Sequence, residues 1–237
     1  MSLVVPAVLP YSHKELDEKL NLFSQIPSVN RIQIDIVDGN FASPKSWPYS
    51  APEELREMVE RNEMLPQLDH IEYEVDLMCL DSERAVDEWL SLGVSRLTFH
   101  AESTHNLPKL LESSRKRYDA GGLAPIISFG VALNIESDLS IVESCFSNIE
   151  YVQFMGIAHI GKQSQPFDVR VFEKIRIFHE RHPDIPIQVD GGVSLENAKK
   201  LLSSGVSSLV IGSAIANAKD PISAIEEFEK LENSYGV

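Results

Sequence analysis

The sequence predicts an α/β protein, a single-domain (β/α)8 TIM barrel over residues 1–237, and three observations carry that expectation. Eight short runs rich in Val, Ile and Leu alternate strictly with eight longer amphipathic segments, and such alternation makes a parallel sheet whose crossovers are helices. Eight repeats fit a closed barrel of about 250 residues better than an open doubly wound sheet. The first run is followed by "PYSHKE", with no glycine, whereas an open dinucleotide-binding sheet turns there on a Gly-rich loop.

Taken in order, the expected strands are "LVVPAVL" (3–9), "RIQIDIV" (31–37), "IEYEVDLM" (71–78), "SRLTFH" (95–100), "PIISFGVAL" (125–133), "YVQFM" (151–155), "IPIQVD" (185–190) and "SLVIG" (208–212). The expected helices cover 12–25, 51–62, 82–92, 106–119, 137–146, 168–181, 194–204 and 220–231. Asp81 and Ser194 stand where helix N-caps belong, and Gly93 and Gly205 where helices end. No linker or low-complexity stretch divides the chain, so one domain is expected.

The chain carries 21 basic and 36 acidic residues, a net charge of −15. Such a field repels nucleic acid and anionic membrane, so neither is expected as a partner, and an anionic substrate has to be held by local donors. Cys79 and Cys145 share no metal or redox spacing and read as reduced packing residues. No apolar stretch approaches the roughly 20 residues that cross a bilayer, and the first residues lack a signal-peptide pattern. The expected compartment is the cytoplasm.

Alternate side chains of a strand face opposite sides. Ile32, Ile34 and Ile36 then pack outward on helices, and Gln33 and Asp35 point into the barrel. By the same rule Glu74, Asp76 and Met78, Gln153 and Met155, and Gln188 and Asp190 point inward. Asp35, Asp76 and Asp190 therefore converge near the C-terminal strand ends, where barrel enzymes do chemistry. Buried carboxylates so close must share protons, meet a cation or sit in a wet cavity. Gln153, Gln188 and Glu74 read as a satisfied hydrogen-bond layer, and Asp38, before Gly39, as a turn residue.

"VDGGV" (189–193) and "VIGSAI" (210–215) place small residues directly after strands seven and eight. Barrels commonly cradle a phosphate there, and Gly191, Gly192, Gly212 and Ser213, the last at a helix start, are the expected donors. The loop "MGIAHIGKQSQPF" (155–167) reads either as a lid carrying Lys162 or His159 to the ligand or as a mobile surface loop.

With "IDIVDGNF" (34–41), "VDLMCLDSERAVDEW" (75–89), "TFHAES" (98–103), "GVALN" (130–134), "EKIR" (173–176) and above all "VDGGVSLENAKKLLSSGVSSLVIGSAI" (189–215), the chain resembles the ribulose-phosphate 3-epimerase family along nearly its full length. The resemblance implies an isomerase that inverts C3 of a ketose phosphate, by default interconverting ribulose 5-phosphate and xylulose 5-phosphate. Asp35 and Asp190 match the family's catalytic pair, and Met78 and Met155 its site-lining methionines. The family's divalent metal is held by two histidines and the two aspartates, and here Gln33 and Asp76 occupy the histidine positions. Ala7 replaces a serine, Val37 a methionine, and "IGKQSQPF" a Gly-rich run.

Two states of the site follow. Either Gln33, Asp35, Asp76 and Asp190 hold a divalent ion, in which case an all-oxygen set favours magnesium or manganese over zinc, or no metal binds and Asp76 is protonated or hydrogen-bonded. His100, which ends strand four, reads either as a contributor to the site or as a hydrogen-bonded structural histidine, the second being favoured. Other functions weighed are a non-catalytic or altered-activity paralogue that binds a sugar phosphate and a keto-sugar-phosphate decarboxylase, against which Met78 stands where a catalytic lysine would be. A homo-oligomer is left open, since no stretch identifies an interface.

Overall fold

In a computed structural model describing residues 3–119 and 126–235, eight parallel strands close in sequence order, β8 pairing with β1. The strands are β1 Val4–Val8, β2 Arg31–Val37, β3 Glu72–Met78, β4 Arg96–His100, β5 Ser128–Leu133, β6 Tyr151–Met155, β7 Ile187–Asp190 and β8 Ser208–Ile211. Between and after them run α1 His13–Ser24, α2 Pro52–Glu60, α3 Ser82–Ser91, α4 Leu107–Asp119, α5 Ser140–Glu143, α6 Arg170–Arg181, α7 Leu195–Ser203, α8 Ser213–Ala216 and α9 Pro221–Tyr235. The (β/α)8 barrel read from the alternation is the fold.

Differences from the expected elements are local. Only α5 forms as α-helix within 137–146, and in the preceding loop Lys174 Nζ donates to the carbonyls of Asn134 and Ser137 at 2.5 Å each. β5 starts at Ser128, and Pro125, from the expected strand, lies outside the described residues. The one-turn α8 is a ninth α-helix among the described residues, starting at Ser213 as the small-residue pattern indicates. Gly93 and Gly205 follow α3 and α7 with φ of 96° and 92°, the left-handed conformation that ends a helix. Asp81 precedes α3 but makes no capping bond, its carboxylate being taken by Tyr49 Oη and Arg84. The Ser194 amide donates to Asn197 Oδ1 at 2.9 Å, one half of a capping box.

The apolar core lies between barrel and helices. Ile32, Ile34 and Ile36 from β2, Tyr73, Val75 and Leu77 from β3 and Val152 and Phe154 from β6 are fully buried in it. Inside the barrel, β1 and β8 contribute an apolar wedge of Val5, Ala7 and Val210, while β2, β3, β4, β6 and β7 supply buried polar side chains.

The floor of that interior is an ion pair. Arg96 Nε donates to Glu74 Oε2 at 3.0 Å, Thr98 Oγ1 donates to Glu74 Oε1 at 2.9 Å, and the Arg96 guanidinium lies 3.9 Å over the Tyr151 ring. Gly130 makes room for that ring, since a Cβ there would lie 2.2 Å from Tyr151 Cε2. Burial works to raise the Glu74 pKa, but Arg96, then Arg31, overrides it and holds the carboxyl below its ordinary value.

Arg96→Met leaves this carboxylate without its nearest cation and is expected to cost about 3 kcal/mol, the lower end for breaking a buried pair, read from urea unfolding. Because Glu74 has its pKa depressed by folding, the pair's contribution is complete above the ordinary value of 4.5. It disappears as pH falls through the lower folded value, so the gap between wild type and variant should close in acid.

Candidate functional site

β2 and β3 pair with Asp35 opposite Asp76, and across the barrel Asp190 ends β7 beside Met155. Oxygens from all three carboxylates lie within 4.8 Å of one another. Asp76 is fully buried, and Asp35 and Asp190 keep 8% exposure each, which opens them to the cleft above.

Two glutamines reach up to these acids. Gln33 Nε2 donates to Asp35 Oδ1 at 2.8 Å and to Asp190 Oδ2 at 3.0 Å. Gln153 Nε2 donates to Asp76 Oδ2 at 2.9 Å. Below them Gln188 Nε2 reaches Glu74 Oε1 at 2.6 Å, Gln153 Oε1 at 2.8 Å and Gln33 Oε1 at 3.2 Å. The expected layer of Gln153, Gln188 and Glu74 is thus a single network that continues through Gln33 into the acid cluster.

Burial first, then the Asp190 and Asp76 charges, push Asp35 well above the ordinary carboxylate range. Burial and Asp76 push Asp190 up to about 7. His100 Nε2 lies 2.9 Å from Asp76 Oδ1, yet off the direction of a hydrogen bond, so neither atom has a directed partner. Burial would lower the His100 pKa, but the Asp76 charge overrides it and raises it. His100 is therefore an electrostatic neighbour of the acids and more than a packing residue.

The three carboxylates fit a divalent cation in number, spacing and oxygen chemistry. Gln33 is the further ligand expected from the sequence, and its orientation bears on that expectation. It turns its nitrogen to the acids, and an amide NH2 is a donor with no lone pair to give a metal.

The cleft joins the acids to the glycine loops. Asp35, Asp190, Met78 and Met155 line it together with Gly191, Gly192, Gly212 and Ser213. Gly191 and Gly192 have φ of 98° and 68°, a conformation in which glycine is strain-free. Asp38 is the expected turn residue: its Oδ1 accepts from Asn40 and Phe41 amides at 2.7 Å each.

The β6 loop lies across the mouth. Ile160 packs on Leu9, Val37, Ala42 and Met78, and a Cβ on Gly161 would lie 3.0 Å from Ala42 Cβ. Lys162 lines the cleft, while His159 is exposed and outside its lining. Sequence reading missed Gln163. Its Nε2 is buried without a hydrogen-bond partner and would stand 3.2 Å from a Cβ on Gly212. The only sequence signal was the replacement of a Gly-rich run by longer polar side chains.

Comparison with known proteins agrees with this geometry. Residues 3–216 match the family described as the ribulose-phosphate 3 epimerase family. The ribulose-phosphate 3-epimerase of Buchnera aphidicola subsp. Baizongia pistaciae is 27% identical over 221 residues, covering 91% of this chain and 89% of that one. The Bacillus subtilis protein of the same name is 27% identical, covering 83% and 84%. Among solved structures, 3-hexulose-6-phosphate synthase from Salmonella typhimurium superposes with a TM-score of 0.70 at 14% identity, covering 98% of this chain and 99% of that one, which is a likeness of fold.

Gly192→Ala sets a Cβ 2.8 Å from Phe167 Cα at positive φ. It is expected to destabilise the protein by about 1–3 kcal/mol in denaturant unfolding. Gly212→Ala meets the movable end of Gln163 at 3.2 Å and Ala7 Cβ at 3.9 Å and should cost less than Gly192→Ala in the same measurement.

Proposed function

The chain belongs to the ribulose-phosphate 3-epimerase family, and from that premise we propose that this isomerase inverts C3 of a ketose phosphate by proton transfer between Asp35 and Asp190. The substrates are D-ribulose 5-phosphate and D-xylulose 5-phosphate or a closely related ketose phosphate. The observation that carries the reading is that carboxylates from β2 and β7 are bridged by one amide in a cleft that also reaches the glycine loops after β7 and β8.

Inversion needs a base and an acid on opposite faces of one carbon. In one direction the ionised aspartate removes the C3 proton. The electron pair of that C–H bond becomes the C2–C3 double bond, and the C2 carbonyl oxygen takes up negative charge as an enediolate. The protonated aspartate then returns a proton to C3 from the other face, and the carbonyl reforms. The raised pKa values of both groups, about 7 for Asp190, suit a pair that holds one proton near neutral pH. Met78 and Met155 give the sugar a soft apolar wall. Backbone donors of Gly191, Gly192, Gly212 and Ser213 hold the phosphate without relying on the protein's negative overall field.

A divalent ion would be held by Asp35, Asp76 and Asp190, where it supplies positive charge for the enediolate oxygens. Such an all-carboxylate set favours magnesium or manganese over zinc. A second reading, a sugar-phosphate binder without turnover, is favoured by one observation: Gln33 faces the acids as a donor where the family has a ligand.

Incubation with ketose 5- and 6-phosphates in deuterated water separates the two, since epimerisation places deuterium at C3 and binding alone does not. Asp35→Asn and Asp190→Asn are each expected to lower exchange by at least about 100-fold, the lower range for losing a general acid or base. Substrate should still bind, as seen by calorimetry. Unchanged turnover in either variant removes that residue from the role. Chelator treatment is expected to slow exchange, and magnesium or manganese to restore it; full activity in chelator removes the ion from the reading.

A further inference from the structure

We infer that Gln33 is a positioning residue, a locked double donor that ties Asp35 to Asp190, and that Gln188 sets its direction from the charged floor of the barrel. The positioning role rests on the epimerase reading; the lock does not.

The lock follows from counting donors and acceptors. Glu74 accepts from Arg96 Nε at Oε2 (3.0 Å) and from Thr98 Oγ1 at Oε1 (2.9 Å), so the group of Gln188 facing Oε1 at 2.6 Å has to be its NH2. Turning that amide over would set its oxygen against a carboxylate oxygen and the oxygens of Gln33 and Gln153. With Gln188 fixed, Gln33 has to present Oε1 downward, and its NH2 upward to both aspartates. Gln153 is fixed the same way beneath Asp76. One buried charge thereby sets the sense of three amides, all of residues no more than 2% exposed.

The consequence is mechanistic. Both acid/base carboxylates lean on one neutral donor that does not itself titrate in the working range of pH. Oδ2 of Asp35 and Oδ1 of Asp190 are left outside the Gln33 bridge, free to serve as the proton-transferring atoms. Gln33 can hold the pair in this way only while its oxygen stays turned from any ion in the site.

The test reads side-chain amide hydrogen exchange by NMR on the full chain, with Gln33 resonances assigned by their loss in Gln33→Met and exposed Gln25 as reference. Gln33 should exchange at least about tenfold more slowly than Gln25, and Gln188→Met, which keeps the interior filled and touches neither aspartate, should erase most of that protection. In the same variant kcat should fall about tenfold with KM within about twofold, the signature of a lost alignment bond rather than a lost binding contact. Protection that survives Gln188→Met overturns the lock. Protection lost with kcat unchanged overturns the positioning role. Gln33→Leu gives an independent reading that does not depend on Gln188→Met folding: kcat should fall about 100-fold with KM held, and an unchanged kcat overturns the proposal. If wild type exchanges deuterium into no ketose phosphate, the epimerase reading fails while amide exchange still decides the lock.

Discussion

The molecule is organised around a single electrostatic demand: three carboxylates crowd the top of a barrel whose interior excludes most water. Isolated charges there would be expelled or neutralised. Asp35, Asp76 and Asp190 persist because donors are brought to them from below by Gln33 and Gln153, and because a cation can be accommodated among them. The cost of the crowding shows in the raised pKa values of Asp35 and Asp190, the property that the proposed two-base proton transfer calls for.

The polar column beneath the acids ties chemistry to stability. Arg96 keeps Glu74 ionised, Glu74 orients Gln188, and Gln188 orients the amides that meet the aspartates. A barrel filled with apolar side chains would be easier to stabilise but would give the acids no defined partners. Here β1 and β8 supply the apolar wedge and β2, β3, β4, β6 and β7 the polar column, so packing and orientation are divided between sectors of one sheet. The β6 loop completes the site from above, anchored by Ile160 on apolar residues from the first three strands and their loops, with Gln163 brought to the glycines after β8.

The likeness to the family and the departures from it fall at different depths. The glycine loops and the Asp35–Asp190 pair are the positions where the proposed reading follows the resemblance. Where the family has two histidines, this chain has a carboxylate, Asp76, and an amide turned nitrogen-first, Gln33. Gln33 meets Asp35 and Asp190 through hydrogen bonds, and His100 Nε2 stands 2.9 Å from Asp76 Oδ1.

Much of this was legible in the residues alone. Alternation of apolar runs determined the barrel, the period of two in "RIQIDIV" and "IQVD" determined which side chains face its axis, and the glycines after two strands marked the far end of the cleft. These are local properties, fixed by backbone geometry along one strand at a time. What only the tertiary structure decided is relational: which end of each amide meets which acid, that His100 stands against Asp76, that Lys174 reaches the loop before α5, and that Gln163 rather than His159 arrives over Gly212. A glutamine is the same letter whether it offers its nitrogen or its oxygen, and that choice is made by partners far along the chain, Gln188 and Asp190 for Gln33, which meet only when the barrel closes.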